Sequence, residues 1–123
     1  MKTAKLVLRI LLGVGLVIFG LNKFMNFMVP PVSPEMEAFT GAIFETGYLF
    51  PLIGVLYILG GILLIFNKYV SLALLVLLPI FVVAFTSHLF LDPAGIGGSA
   101  VFLAIIILLM FENKERYKEV LKA

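Results

Sequence analysis

Hydrophobic residues in this chain come in long unbroken runs, not in alternation. Four runs stand out: "KLVLRILLGVGLVIFGLNKFMNF" over about 5–27, "GYLFPLIGVLYILGGILLIF" over 47–66, "YVSLALLVLLPIFVVAFTSHLFL" over 69–91 and "IGGSAVFLAIIILLMFE" over 96–112. Each approaches the roughly 20 apolar residues that cross a bilayer core. Hydrocarbon leaves helices and closed barrels as the only spanning forms, because every backbone polar group must be satisfied internally. Barrel strands alternate, whereas these runs do not, so helices are predicted. The pattern describes an all-α, integral membrane four-helix bundle that forms one domain of 123 residues. A soluble helical core fits poorly, because such helices would be apolar all round.

The connections add detail. A basic start before an apolar middle suits a signal peptide. Arg9 interrupts the run, however, and no small-residue cleavage site precedes a soluble domain, so a retained first helix is expected. The longest connection is "MVPPVSPEMEAFTGAIFET". The prolines of "VPPVSP" fix φ and remove donors, which forbids a regular helix there. A short amphipathic helix is predicted next. Ser33 would be its N-cap, Pro34 its first-turn proline, and Glu35 and Glu37 its favourable acids. Its apolar residues Met36, Phe39, Ile43 and Phe44 would lie on the membrane surface or cap the bundle. The tail over 113–123 is expected to be a cytoplasmic helical extension of the fourth helix, with i,i+4 charge pairs.

Composition and charge set the orientation. The chain is 63% hydrophobic and 13% charged, against roughly 45–50% and about 25% in soluble domains. With the N-terminus inside, Lys2, Lys5, Arg9, Lys68, Lys114, Arg116, Lys118 and Lys122 are all cytoplasmic, and only Lys23 is outside. The positive-inside bias then predicts a multi-pass protein with both termini in the cytoplasm. A net charge of +2 without a basic stripe gives no sign of nucleic-acid binding. The absence of cysteine excludes disulfides and thiolate metal sites within the chain. One histidine with scattered carboxylates does not make a metal site. No phosphate loop, serine-nucleophile motif or paired-histidine motif is present, so no catalytic residue is assigned.

Small residues predict how the helices pack. Gly47, Gly54 and Gly61 recur every seven residues, as do Gly13 and Gly20. Seven residues are nearly two turns, so each set shares a face and lets helices approach closely. Tyr57 falls on that inward face, where its hydroxyl needs a partner. Pro79 frees the carbonyl of Leu75 and predicts a kink in the third helix.

Polar residues gather at the outer end of this bundle. Asn22 and Lys23 end the first helix, Glu45 precedes the second, and Ser87, His88 and Asp92 end the third. His88 and Asp92 are spaced i,i+4 and can touch. Ionisable groups in a membrane are costly and face partners or water. In one reading, Lys23 and His88 offer donors to a quinone ring or an anionic lipid, and Asp92 orients His88. In the other, these residues cap helices, and Asp92 before Pro93 and Gly95 is turn chemistry.

"RILLGVGLVIFGLNKF", the "LGG-LL" block closing the second helix, the mid-helix proline of the third and "HLFLDP" occur in a telling order. Over most of 9–95 the chain resembles the DoxX-like family of small four-helix membrane proteins. The resemblance implies a bundle in a bacterial inner membrane. The family is named after the membrane subunit of a thiosulfate:quinone oxidoreductase. Relatives are linked to redox-stress complexes with soluble enzymes, and distant ones to chaperoning or cargo handling. It thus implies a membrane subunit or anchor for a redox partner, with the cofactor left open and quinone the candidate, rather than a stand-alone enzyme. The alternative is a non-catalytic scaffold or chaperone that binds lipid or protein, with homo-oligomers left open. Many relatives carry an acid near the position of Tyr57, and this departure argues against proton or cation chemistry there. Lys23 and His88 are the positions the resemblance carries over, as ligand contacts.

Overall fold

The structure is a computed structural model that describes residues 2–25 and 33–121. It is all-helical among these residues. Helix α1 spans Lys2–Met25, α2 Pro34–Glu45, α3 Leu49–Ile65, α4 Val70–Leu91 and α5 Ile96–Glu112. A 3-10 turn at Pro93–Gly95 joins α4 to α5. Helices α1, α3, α4 and α5 form the four-helix membrane bundle, with the short α2 between the first two. By length and composition, Thr3–Phe24, Val70–Leu91 and Pro93–Glu112 can each cross a membrane. Helix α3 has 17 residues, about 26 Å at 1.5 Å per residue, close to the roughly 30 Å of a bilayer core. It meets α2 at a bend of 91°.

The four helices run up and down. Gly13 abuts Gly61 and Gly20 abuts Gly54, which makes α1 and α3 antiparallel. A Cβ on Gly61 would come within 2.6 Å of the Gly13 carbonyl oxygen, and one on Gly13 within 2.7 Å of the Gly61 oxygen. A Cβ on Gly20 would meet the Gly54 oxygen at 2.9 Å. Backbone therefore lies against backbone at two levels, seven residues apart, as the glycine spacing predicts. Dispersion and weak Cα–H···O contacts act at that range, where lipid offers no hydrophobic drive between helices. Gly47 departs from the predicted set. It lies before α3 with φ +80°, and nothing approaches its missing side chain. Its role is a left-handed turn, which glycine adopts without a Cβ penalty.

Packing sorts the residues by helix face. On α1, Leu12 and Leu16 are fully buried, while Val7, Leu11, Val14, Ile18 and Leu21 form an exposed stripe. The core gathers Leu12, Leu16, Tyr57, Leu64, Leu74, Leu77, Phe81, Ile106 and Leu109. Exposed apolar stripes this long exceed what a soluble monomer shows and suit a lipid solvent. Helix α4 continues through Pro79, whose ring lies on its exposed side. The α3–α4 connection closes as a left-handed cap. Asn67 has φ 57°, and the Lys68 amide donates back to the Leu63 carbonyl at 2.9 Å. Asparagine tolerates that conformation better than most residues.

Two stretches refine the sequence reading. Ser33 caps α2, its hydroxyl accepting from the Met36 amide at 3.2 Å, and Pro34, Glu35 and Glu37 occupy the first turn. The proline-rich 29–32 and the predicted last residues of the first helix lie outside the described residues. The tail does not extend α5. Asn113 ends that helix by donating its side-chain amide to the Leu109 carbonyl. The chain then turns through Lys114–Tyr117 into a last short helix, Lys118–Leu121. Tyr117 drives the turn, because its ring is buried and its hydroxyl donates to the Ser71 carbonyl at 2.8 Å. Burial raises its pKa, partly offset by that hydrogen bond.

A paired substitution checks the close approach. Gly61→Ala is expected to destabilise the detergent-solubilised protein by about 1–3 kcal/mol, the usual cost of overpacking. Gly41→Ala on α2, where nothing lies within 4 Å, is expected to be neutral or slightly stabilising. Thermal unfolding followed by circular dichroism measures both.

Candidate functional site

The upper end of the bundle, where α1 ends and α3 begins, holds Lys23, Glu45, His88 and Asp92. Its scaffold is a chain of ring contacts that visits all four helices. Phe19 on α1 meets Phe102 on α5 edge-on at 5.4 Å, and Phe102 meets Phe81 on α4 at 5.4 Å. Phe81 stacks on Tyr57 of α3 at 5.1 Å and 12°. The circuit returns to α1 through Lys23, whose Nζ lies 5.9 Å from the Tyr57 ring centre and 5.1 Å from that of Phe50. Phe19 and Lys23 are one turn apart, so the ring of contacts closes on one face of α1. Edge-on and offset pairs each add about 0.5–1.5 kcal/mol beyond burial. The cation–ring contacts add about 0.5–2 kcal/mol.

Lys23 is half-buried, and no carboxylate among the described residues lies within 4 Å of it. Its position follows from the glycine packing, since Gly54 faces the Lys23 Cβ and a Cβ there would come within 3.1 Å. Depth follows from the same registers. Gly20 opposes Gly54 on α3, and Tyr57 opposes Phe81 on α4. Lys23 follows Gly20 by one turn and so lies toward the end of α4 that carries Ser87 and His88.

His88 and Asp92 do meet, as their spacing requires. Nδ1 of His88 and Oδ2 of Asp92 are 3.4 Å apart. Both atoms are buried, and neither makes a hydrogen bond to the described residues. Asp92 is 5% exposed, so its other oxygen carries most of its satisfaction. Oδ1 accepts from the Ser33 amide at 3.3 Å, and the Ser33 hydroxyl donates to the Leu91 carbonyl. Asp92 thus latches the start of α2 onto the end of α4. It also ends α4 and begins the turn, with the Gly95 amide donating to its carbonyl at 3.0 Å. Gly95 is needed there, because a Cβ would stand 2.5 Å from Asp92 Oδ2 and 3.1 Å from His88 Nδ1.

The remaining polar residues lie elsewhere. Glu45 is exposed at the end of α2 and pairs with neither Lys23 nor His88 among the described residues. Ser87 is spent on its own helix, donating to the Val83 carbonyl at 2.6 Å. Asn22 is half-buried beside Lys23 and already engaged in a contact. Tyr57 is buried as a stacking partner of Phe81. Sequence reasoning missed the Ser33–Asp92 latch and the roles of Phe50 and Phe81. The latch joins residues 59 apart, and no local pattern encodes that. Phe81, seven residues before His88, was readable as sharing its face. No group of three or more potential metal ligands occurs among the described residues.

A sequence profile described as DoxX matches residues 4–91. The chain belongs to the DoxX family. The DoxX match takes in α1 to α4, hence Lys23, Tyr57 and His88, and stops one residue short of Asp92. No curated protein and no solved structure shows a significant match to the chain. Family membership establishes a small membrane protein with a helical bundle, and the chemistry of the upper end must be argued from its own residues.

The latch gives a test. Asp92→Ala is expected to raise hydrogen exchange of the Ser33–Glu37 amides by roughly tenfold, the loss of about one charge-assisted hydrogen bond. Exchange in α1 and α3 is expected to stay unchanged. Mass spectrometry of peptides spanning each segment measures it.

Proposed function

We propose that this DoxX-family chain is a membrane subunit or anchor that supports a redox partner and holds a quinone ring between Lys23 and His88. The observation that carries this reading is Lys23, a donor with no carboxylate partner within 4 Å among the described residues, held over two aromatic rings at the end of the bundle that also carries His88. A quinone offers two carbonyl oxygens that accept hydrogen bonds and a flat ring that suits aromatic neighbours. The residues fit such a ligand. With His88 Nδ1 turned to Asp92, Nε2 is left for a carbonyl oxygen. Lys23 supplies the second donor. Phe50 and Tyr57 offer the apolar faces and exclude water. A bound quinone would supply two-electron chemistry in the membrane, with the electrons coming from the partner.

In this reading the protein sits in a bacterial inner membrane with both termini in the cytoplasm. The basic residues favour that orientation, because Lys5, Arg9, Lys68, Lys114, Arg116 and Lys118 all belong to the end opposite His88. The partner is then reached from either face of the membrane, through the α2 side or through the tail. A second reading, a non-catalytic scaffold for lipid or protein, draws on the Ser33–Asp92 latch, which accounts for Asp92 without any ligand.

The test is extraction of the protein in mild detergent from its own membrane, with bound quinone quantified by mass spectrometry. Quinone is expected at a fixed ratio to protein. Lys23→Ala with His88→Ala is expected to lower that ratio about tenfold or more, as loss of such donors does. An unchanged ratio in a folded double variant removes the site. Lipid or protein without quinone leaves the scaffold reading.

A further inference from the structure

The opposite end of the bundle carries a second feature, a cleft of about 710 Å³ among α1, the start of α4 and the tail. It falls within the roughly 300–1,000 Å³ of small-ligand sites. Three cations line it, namely Lys5 and Arg9 of α1 and Arg116 of the tail. Among the described residues no carboxylate lines it, and the nearby Glu115 is paired with Lys118 at 2.6 Å. Lys5 and Arg116 have no carboxylate within 4 Å among the described residues.

Each wall has a structural reason. Arg9 reaches across to α3, where its Nη1 donates to the carbonyls of Leu64 and, at 3.3 Å, Ile65. It thereby satisfies the last turn of α3 and places its positive charge at the negative end of that helix. A guanidinium has five N–H donors, so donors remain for the cleft. Tyr117 folds the tail back by its bond to Ser71, and this turn brings the preceding Arg116 to the rim. Val70, Ser71 and Leu72, the first turn of α4, also line the cleft. Tyr69, at the N-cap position, makes no side-chain capping bond. Amides in a first turn lack intrahelical partners and favour negative charge. Apolar Leu6 and Leu109 complete the lining.

We infer that this cleft binds a phosphate group, supplied by an anionic phospholipid of the leaflet on that side. Cations at a helix N-terminus, with no competing carboxylate and with leucines beside them, match a phosphate ester joined to acyl chains. Lys and Arg near a membrane surface attract anionic lipid. The site fixes the tail against α1 and α4, so the lipid would order the segment that bears Arg116 and Tyr117. Nothing in this site depends on the quinone reading of the other end.

The full-length protein is tested in nanodiscs and by native mass spectrometry, with phosphatidylglycerol, phosphatidylcholine and inorganic phosphate as probes. Phosphatidylglycerol is expected to be retained over phosphatidylcholine. Lys5→Gln with Arg116→Gln is expected to weaken retention about thirtyfold, the loss expected for two such cations. Arg9 is left intact, because it caps α3. Lys68→Gln removes an exposed cation from the same end but outside the cleft, and retention is expected to hold. Displacement of the lipid by millimolar inorganic phosphate reassigns the ligand to free phosphate in the same site. Equal loss in Lys68→Gln, or no preference for phosphatidylglycerol in the native chain, overturns the inference. Circular dichroism confirms that each variant is folded.

Discussion

Contact between two helix backbones governs this molecule. In lipid, leucine gains nothing by leaving solvent, so helices stay together only through close packing and polar contacts. Gly13 against Gly61 and Gly20 against Gly54 supply such packing, backbone against backbone. That contact does more than join α1 to α3. It fixes their register, and the register decides which side chains share a depth. Lys23 lies over Phe50 and Tyr57 because Gly54 makes room for its Cβ. Arg9 reaches the Leu64 and Ile65 carbonyls because Gly61 brings the end of α3 against the start of α1. Both ends of the molecule, one for each proposed ligand, are set by one line of glycines.

The two ends then diverge in chemistry. At the His88 end, the polar groups are few and largely built into structure. Asp92 ends α4, starts the turn and holds Ser33 through Oδ1, while Oδ2 faces His88 Nδ1 at 3.4 Å. Lys23 and Nε2 of His88 are the donors the proposed quinone would use, a sparse pair suited to a neutral carbonyl. At the other end, cations outnumber acids around an open cleft, which suits an anion. The tail turn made by Tyr117 belongs to this second end and would be a needless fold if the tail were a solvated extension.

Much of the fold was legible because membrane physics is strict. Unbroken apolar runs have few alternatives, and glycines at seven-residue spacing mark a face whatever packs on it. The capping of α2 was legible too, since Ser33, Pro34, Glu35 and Glu37 act within one turn. Gly47 was misplaced because it continues the seven-residue series by spacing alone, while its positive φ belongs to a turn that spacing does not reveal. The tail was misread because its break depends on a bond from Tyr117 to Ser71, 46 residues away. The site shows the same division. His88 and Asp92 are near in sequence and were expected to touch. Glu45 is near in the chain to α3 but ends a helix set at 91° to it, which leaves it outside. Ser33 with Asp92 and the Arg9 cap are tertiary contacts that no single sequence announces.

The register of α1 on α3 can be read directly in a bilayer. Magic-angle-spinning NMR of glycine-labelled protein in lipid reports which glycines are within a few ångströms of each other. The account predicts interhelical cross-peaks between Gly13 and Gly61 and between Gly20 and Gly54, and none from Gly47 to either α1 glycine. Cross-peaks shifted by a helical turn, or their absence while α1 and α3 stay helical, would contradict it.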